Sequence, residues 1–268
     1  MDIAHIHQEL IPEIHEGMML AVGGSPMAKL GDVFELLEQQ FEALAICHLL
    51  ESADTSEFRE NLVRSGHSRR YFLQHSRVEG NDRDRYLALG RTPAFLDVLV
   101  AGAGPLAAQI ADLSTGTWNP NWEYEDDFCF FLFLHELAKR PAPFPNPEVE
   151  ALLDRFKRSL EGGASCRYDV CAGIVRRDAL EFSEALRARL DEEESRIEAD
   201  RDSAAVHEGD MLYWPRSYVS IEGLALLRAA ELVGLRVEGD FPRCPAIARL
   251  PVTGEPSRDV FDELSRML

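Results

Sequence analysis

The stretch Val98-Leu99-Val100-Ala101-Gly102-Ala103-Gly104-Pro105-Leu106-Ala107 decides the fold, because it can be read in two ways. It matches G-x-G-x-x-A behind an apolar run, the fingerprint in which glycines let backbone N–H groups approach a dinucleotide pyrophosphate at a helix N-terminus. That reading needs a strand on either side and an acidic residue roughly 20 positions on. Glu123 and Glu125 stand near that distance, but behind Trp118-Asn119-Pro120-Asn121-Trp122, a turn-rich connection with no strand pattern. Upstream, Thr92-Pro93 is an N-cap followed by proline at the first helical position. A helix from Pro93 to Leu113 therefore runs through the glycines, which act as small residues where another helix packs closely. A dinucleotide-dependent enzyme built on Gly102 to Ala107 is the alternative.

Outward from this stretch, helix signals recur and strand signals are scarce. Residues 2–18 carry Ile3, Ile6, Leu10 and Ile14 at helical spacing around Pro12. Ser25-Pro26 opens a helix to about Glu51, and Asp54 with Glu57 forms a capping-box pattern for a helix to about Val78, with Gly66 inside it. Residues 123–140 begin acidic and end basic, which complements a helix dipole. Their middle, Phe128 to Leu134, has the periodicity of a buried strand, but length and end signals favour a buried helix. Further helices are expected from Asn146-Pro147 to Leu160, from Asp178 to Asp202, from Ser220 to Val233 before Gly234, and from Ser257 to Leu268. The pattern predicts one all-α domain over 1–268, of about eight to ten helices with little or no sheet. The proline-rich connector at 141–147 is the best internal boundary.

With 28 Lys+Arg against 47 Asp+Glu, the formal net charge is −19. Such a chain repels phosphate backbones, so nucleic acid is not an expected partner. No stretch of about 18 apolar residues lacks charges, which argues against a membrane span. The start, Met1-Asp2-Ile3-Ala4-His5, has no basic region followed by an apolar run and does not read as a secretory signal. Cys47, Cys129, Cys166, Cys171 and Cys244 are an odd, scattered set that fits reduced thiols of a cytoplasmic protein. Positive charge is nearly all arginine, with lysine only at 29, 139 and 157.

Motifs for chemistry are incomplete. No lysine is followed by Ser or Thr as a P-loop requires, and Gly23-Gly24-Ser25 lacks the closing glycine of a nucleophile elbow. His135-Glu136 lacks a second histidine, no histidine has a glutamate three positions before it, and Cys166 and Cys171 have no second pair. His5 and His7 point to different faces of a helix and read as surface residues, whereas His48 on its apolar stripe reads as a core histidine. No catalytic, cofactor or metal residues are assigned.

Two stretches remain: Tyr124-Glu125-Asp126-Asp127-Phe128, and Tyr218-Val219-Ser220-Ile221-Glu222-Gly223-Leu224-Ala225-Leu226-Leu227-Arg228. With Arg177-Asp178-Ala179 between them and Thr92-Pro93-Ala94-Phe95-Leu96-Asp97 before them, they resemble the Imm49 family of bacterial immunity proteins from polymorphic toxin systems over about residues 90–235. PoNi-type immunity proteins, which also end in an aromatic, Ser- and Glu-containing helix, are a second family with the same implied role. The resemblance implies a helical protein that binds and neutralises a cognate toxin without catalysis or cofactor. It makes Tyr124, Phe128, Ser220, Glu222 and Gly223 the structural motif.

The acidic excess suits a basic, nuclease-type toxin docked by electrostatic steering. The candidate contacts are Glu123, Glu125, Asp126 and Asp127, or the run Asp191, Glu192, Glu193 and Glu194. Of these the second run is the favoured docking face, and reversing Glu192, Glu193 and Glu194 is expected to leave the thermal melt unchanged.

Overall fold

The computed structural model describes residues 2–91, 93–139, 146–201, 210–250 and 259–267. Among these residues there are twelve α-helices and no sheet, only an isolated antiparallel bridge between Phe241 and Cys244. The Thr92 cap, residues 140–145 of the connector, Asp202, and the Ser257 cap lie outside the described residues. The all-α expectation holds. Three more helices than the nine placed from the sequence have identifiable causes, given below.

The helices begin and end largely where their caps direct. Helix α1 (Ile3–Val22) opens at Asp2, whose carboxylate accepts from the Ala4 N–H at 3.1 Å, and it accommodates Pro12 without ending. The Ser25-Pro26 signal instead opens a single 3-10 turn, Met27–Lys29, and α2 (Gly31–Ser52) starts after it. That detour buries Met27 and Leu30, which a continuous helix from Pro26 would not require. Ala53 in the left-handed conformation (φ 53°) and Asp54, capping Ser56 and Glu57, close a tight turn into α3 (Thr55–Glu79). So short a connection makes α2 and α3 an antiparallel hairpin.

The G-x-G-x-x-A stretch is a helix-to-helix turn. Helix α4 (Pro93–Ala101) stops at Gly102, whose φ of 71° favours glycine. The Gly102 N–H donates to Leu99 and the Ala103 N–H to Val98, the double bond pattern of a Schellman cap. Helix α5 (Gly104–Leu113) begins directly, with Pro105 in its first turn. The helix expected to run from Pro93 to Leu113 is therefore two helices, because the glycine supplies the positive φ that ends the first.

Helices α6 (Glu125–Lys139) and α7 (Pro147–Ser159) follow as expected, α7 capped by the Asn146 side chain. They pack against each other across the connector. Helix α8 (Cys166–Arg176), capped by Ser165, was hidden behind the Glu161-Gly162-Gly163 stop. After it come α9 (Ala179–Arg201), then α10 (Tyr213–Tyr218), too short for periodicity and started by the Asp210 carboxylate, then α11 (Ile221–Leu232) and α12 (Val260–Met267).

The hairpin serves two hydrophobic clusters. One joins it to α1 and α12 through Ile6, Leu10, Phe34, Phe41, Phe72 and Phe261. The larger joins it to α4 through α9 and α11 through residues such as Phe58, Leu62, Phe95, Phe133, Phe182 and Leu226. Each such fully buried side chain contributes about 1.5–3 kcal/mol.

Charge is buried in the hairpin as well. Arg69 donates to the carbonyls of Tyr86 (2.7 Å) and Ala88 (3.4 Å) and lies over the Phe72 ring. Glu38 approaches Arg69 only to 4.0 Å, and among the described residues neither of its carboxylate oxygens has a hydrogen-bond partner. Burial pushes its carboxyl up to about 8 despite the pull of Arg69. Asp97 accepts from the Ser65 hydroxyl at 2.5 Å and is likewise raised by burial. His135, stacked on Phe95, is pushed down by burial to about 3. His48 is half-buried rather than in the core, with its ring against that of His7, which in turn pairs with Glu51 at 2.6 Å. Only His5 is an exposed histidine of that pair.

Gly66 is the close-packing glycine of this region. A Cβ there would lie 2.1 Å from Val98 Cγ2 and 3.0 Å from Leu106 Cδ2, whereas a Cβ on Gly104 would meet no atom within 4 Å. Gly66→Ala gains about 1 kcal/mol of helix propensity but overpacks the α3–α4 contact by about 1–3 kcal/mol. A net loss of up to about 2 kcal/mol in urea denaturation is expected. Gly104→Ala should change stability by less than about 0.5 kcal/mol or increase it.

Candidate functional site

The two motif stretches meet at a buried ionic cluster. Glu222 stands in the first turn of α11, with its side chain only 11% exposed. Its Oε1 accepts from Arg167 Nε at 3.0 Å and Arg189 Nε at 2.7 Å. Its Oε2 accepts from Arg167 Nη2 at 2.6 Å and Arg189 Nη2 at 3.1 Å. Two guanidinium forks thus grip one carboxylate, the geometry that makes arginine pairs strong. Arg167 also donates from Nη1 to Asp127 Oδ1 at 2.6 Å and lies 4.5 Å from the Phe130 ring centre. Burial alone would raise the Glu222 carboxyl, but the bonds and charges of Arg167 and Arg189 hold it at about 2. The cluster ties α6, α8, α9 and α11 together.

A second tie lies one turn away. The Ser220 hydroxyl accepts from the Gly223 N–H at 3.0 Å, capping α11, and donates to Glu193 Oε2 at 2.6 Å. Arg243 Nη2 reaches the same Glu193 oxygen at 3.0 Å and the Leu190 carbonyl at 3.1 Å. The Ser220 N–H donates to the Arg243 carbonyl at 2.8 Å. Gly223 is required by this crowding, because a Cβ would lie 2.6 Å from Cys244 Sγ and 2.9 Å from Leu190 Cδ2.

The structure sorts the acidic candidates by what they hold. Glu123 accepts from the Gly90 N–H at 2.6 Å and the Leu89 N–H at 3.3 Å. Glu125 pairs with Arg155 at 2.7 Å, and that guanidinium covers the Phe128 ring in the core. Asp127 is committed to Arg167, and Asp126 is half-buried beside it. In the second run Glu193 is 15% exposed and belongs to the Ser220 tie. Its neighbours Glu192 (56% exposed) and Glu194 (54%) face solvent, with long contacts to Arg189 and Arg243 and an exposed bond from the Cys166 thiol to Glu192 at 3.2 Å, and Asp191 is exposed. Reversal of Glu193 is therefore expected to lower the melt, where the sequence led to an unchanged one, because α9 turns it inward between its two exposed neighbours.

Tyr124 has no internal role. Its carbonyl accepts from the Phe128 N–H at 3.1 Å, but its side chain is 79% exposed and has no hydrogen bond or ring contact among the described residues, while the other motif side chains are bonded or packed and Gly223 is crowded. Beside it a hollow of about 390 Å³ is lined by Gly90, Arg91, Trp122, Glu123 and Asp127.

Arg167, Arg189, Arg243 and Arg155 are the residues sequence reasoning missed. The available signal was the arginine bias of the positive charge, since bidentate pairing with carboxylates needs arginine rather than lysine. Among the described residues no group of His, Cys, Asp and Glu is arranged to hold a metal, and no helix is long and apolar enough to cross a membrane. Burial raises the thiols of Cys47 and Cys244 to about 12 and that of Cys129 to about 11, so these three stay protonated at neutral pH.

The buried charges set opposite pH limbs. Glu222 is lowered from the ordinary 4.5 to about 2, so its stabilisation is present above about pH 4.5 and is lost as pH falls toward 2. Asp259, held low against burial by His67 and Arg70, acts in the same direction. Glu38 is raised to about 8, so its neutral form stabilises fully below about pH 4.5 and that contribution fades as pH rises through 8. Thermal melts should peak near about pH 5, with Glu38→Gln flattening the alkaline side. Glu222→Ala leaves two guanidiniums facing each other and should cost about 3–5 kcal/mol in urea denaturation.

Comparison with known proteins agrees with the motif geometry. The family model described as Immunity protein 49 matches residues 35–247, from the body of α2 to the 3-10 turn after the Phe241–Cys244 bridge. Nothing found supports the PoNi-type likeness. No curated protein and no solved structure matches the chain. The matched span contains Tyr124, Phe128, Ser220, Glu222 and Gly223 together with the arginines that bind them, and the chain belongs to the Imm49 family of immunity proteins.

Proposed function

We propose that the protein neutralises a cognate toxin of a polymorphic toxin system by forming a stoichiometric complex with it in the cytoplasm of the producing cell. Family membership carries the immunity role. The charge distribution supports the mode of action. At −19 the molecule is strongly acidic, and Asp191, Glu192, Glu194 and Glu198 stand exposed along the distal half of α9. A surface of this sign attracts a basic partner over a Debye length of about 8–10 Å, and nuclease-type toxins, which bind phosphate, are basic where they act. The acidic face would then both speed association and occlude a phosphate-binding active site.

The dinucleotide reading has no support in the fold. Gly102 and Gly104 join two helices, and among the described residues there is no parallel sheet for them to follow. A helical adaptor without a toxin is separated from the immunity reading by gene neighbourhood and by the growth assay below.

Co-expression with the toxin encoded beside its gene should rescue growth and yield a one-to-one complex on pull-down. Protection at far fewer than one copy per toxin molecule would point to catalysis instead. The triple reversal Glu192→Lys, Glu194→Lys, Glu198→Lys should slow association about tenfold at low salt and remove most of its salt dependence. It should shift the melt by less than about 2 °C, since none of the three holds a buried bond. Adding Glu193→Lys should lower the melt sharply.

A further inference from the structure

The Trp118–Tyr124 connection forms a ridge between two hollows. Trp122 lines two hollows. On one side lie about 300 Å³ against Leu73, Ser76, Leu87 and Leu113, where the Ser76 hydroxyl is buried and has no hydrogen-bond partner among the described residues. On the other lie about 390 Å³ against Glu123, Tyr124 and Asp127. Gly90 keeps the floor of the second open: a Cβ there would lie 3.1 Å from Glu123 Oε2 and 3.5 Å from Asp127 Cβ.

The two hollows differ in what they accept. In the second, two neighbouring carboxylates line the hollow: Glu123 accepts from the 89–90 backbone and Asp127 from Arg167 through Oδ1. The arginine that also lines it, Arg91, is paired with Glu35 at 2.9 Å and lies over the Tyr86 ring. Burial raises both carboxyls, and the Asp127 charge raises Glu123 further, so a cation entering there relieves an existing strain. Tyr124 adds a free ring face at the rim, and an aromatic face attracts the same cation. The first hollow sets Leu73, Leu87, Leu113 and the Trp122 indole beside the polar Arg77, Asn81, Asp82 and Thr115, and its apolar part suits an aliphatic or aromatic side chain.

We propose that the Trp122–Tyr124 ridge is the anchoring surface for the toxin, which places a lysine or arginine side chain between Tyr124, Glu123 and Asp127 and an apolar side chain against Trp122, Leu73 and Leu113. The proposal rests on the immunity reading and adds a division of labour to it. Exposed acid on α9 governs the encounter, and the ridge governs how long the complex lasts. Anchors of this type, central and aromatic, carry most of the energy of an interface, whereas rim charges act chiefly on association rate.

The test measures association and dissociation rates of the purified toxin encoded beside the gene, by surface plasmon resonance, for wild type and three variants. Tyr124→Ala removes the exposed ring, and Asn121→Arg fills the acidic hollow with a cation of its own. Both positions are exposed, and the melts should stay within about 2 °C of wild type. Each should speed dissociation at least about tenfold and change association less than about twofold, while the triple α9 reversal does the opposite. If Tyr124→Ala and Asn121→Arg dissociate within about twofold of wild type while wild type binds, the ridge is not the anchor and the immunity reading stands. If wild type forms no complex with that toxin, the immunity reading falls and the ridge proposal falls with it.

Discussion

The packing of the larger half of this protein depends on a single carboxylate held by two arginines. Glu222 draws Arg167 from α8 and Arg189 from α9 onto the first turn of α11, and Arg167 then reaches Asp127 at the start of α6. A buried ion pair is weak evidence for stability as such, because desolvation offsets most of the attraction. Its value here is positional. A cluster in which each Glu222 oxygen receives two N–H donors tolerates one arrangement of the four helices, and any slippage would leave a guanidinium buried without its partner. The Ser220–Glu193–Arg243 tie repeats the device one turn on and fixes the turn at 241–244 to α9.

The α2–α3 hairpin plays the complementary role. It gives apolar side chains to both clusters, and Arg69 touches Phe72 of one while its charge adds to the burial and the Lys139 charge that depress His135 beside Phe95 of the other. The family match begins inside α2 and ends before α12, so α1 and α12 lie beyond the matched span. Both pack on the hairpin, and Asp259 at the start of α12 is bonded to His67 and Arg70 of α3.

Fold class and most helix starts were legible because caps are local. Asp54, Asn146 and Ser220 each bond an N–H two or three residues on, and their signal lies within one turn of sequence. The helical assignment of Phe128 to Leu134, where periodicity was ambiguous, followed from charge order at the two ends and held. What failed was non-local. Ser25-Pro26 has the form of a cap, but the chain beyond it tucks Met27 and Leu30 into the core before α2 starts. In the candidate site, sequence distance hid the partners: Arg167 and Arg189 lie 55 and 33 residues from Glu222. Glu193 is indistinguishable from Glu192 and Glu194 by type, and only the 100° step of the helix separates an inward tie from two solvated neighbours.

Glu38 makes folding a proton-binding reaction. In the unfolded chain its carboxyl is ionised at neutral pH, and in the native hairpin it is not, since burial raises it to about 8 and leaves both oxygens without donors among the described residues. Asp97 is shifted in the same direction. Each molecule that folds near pH 7 therefore withdraws protons from its buffer and returns them on unfolding. The unfolding enthalpy read by calorimetry then contains the buffer's own heat of ionisation, and it differs between phosphate and Tris although the protein's contacts are the same.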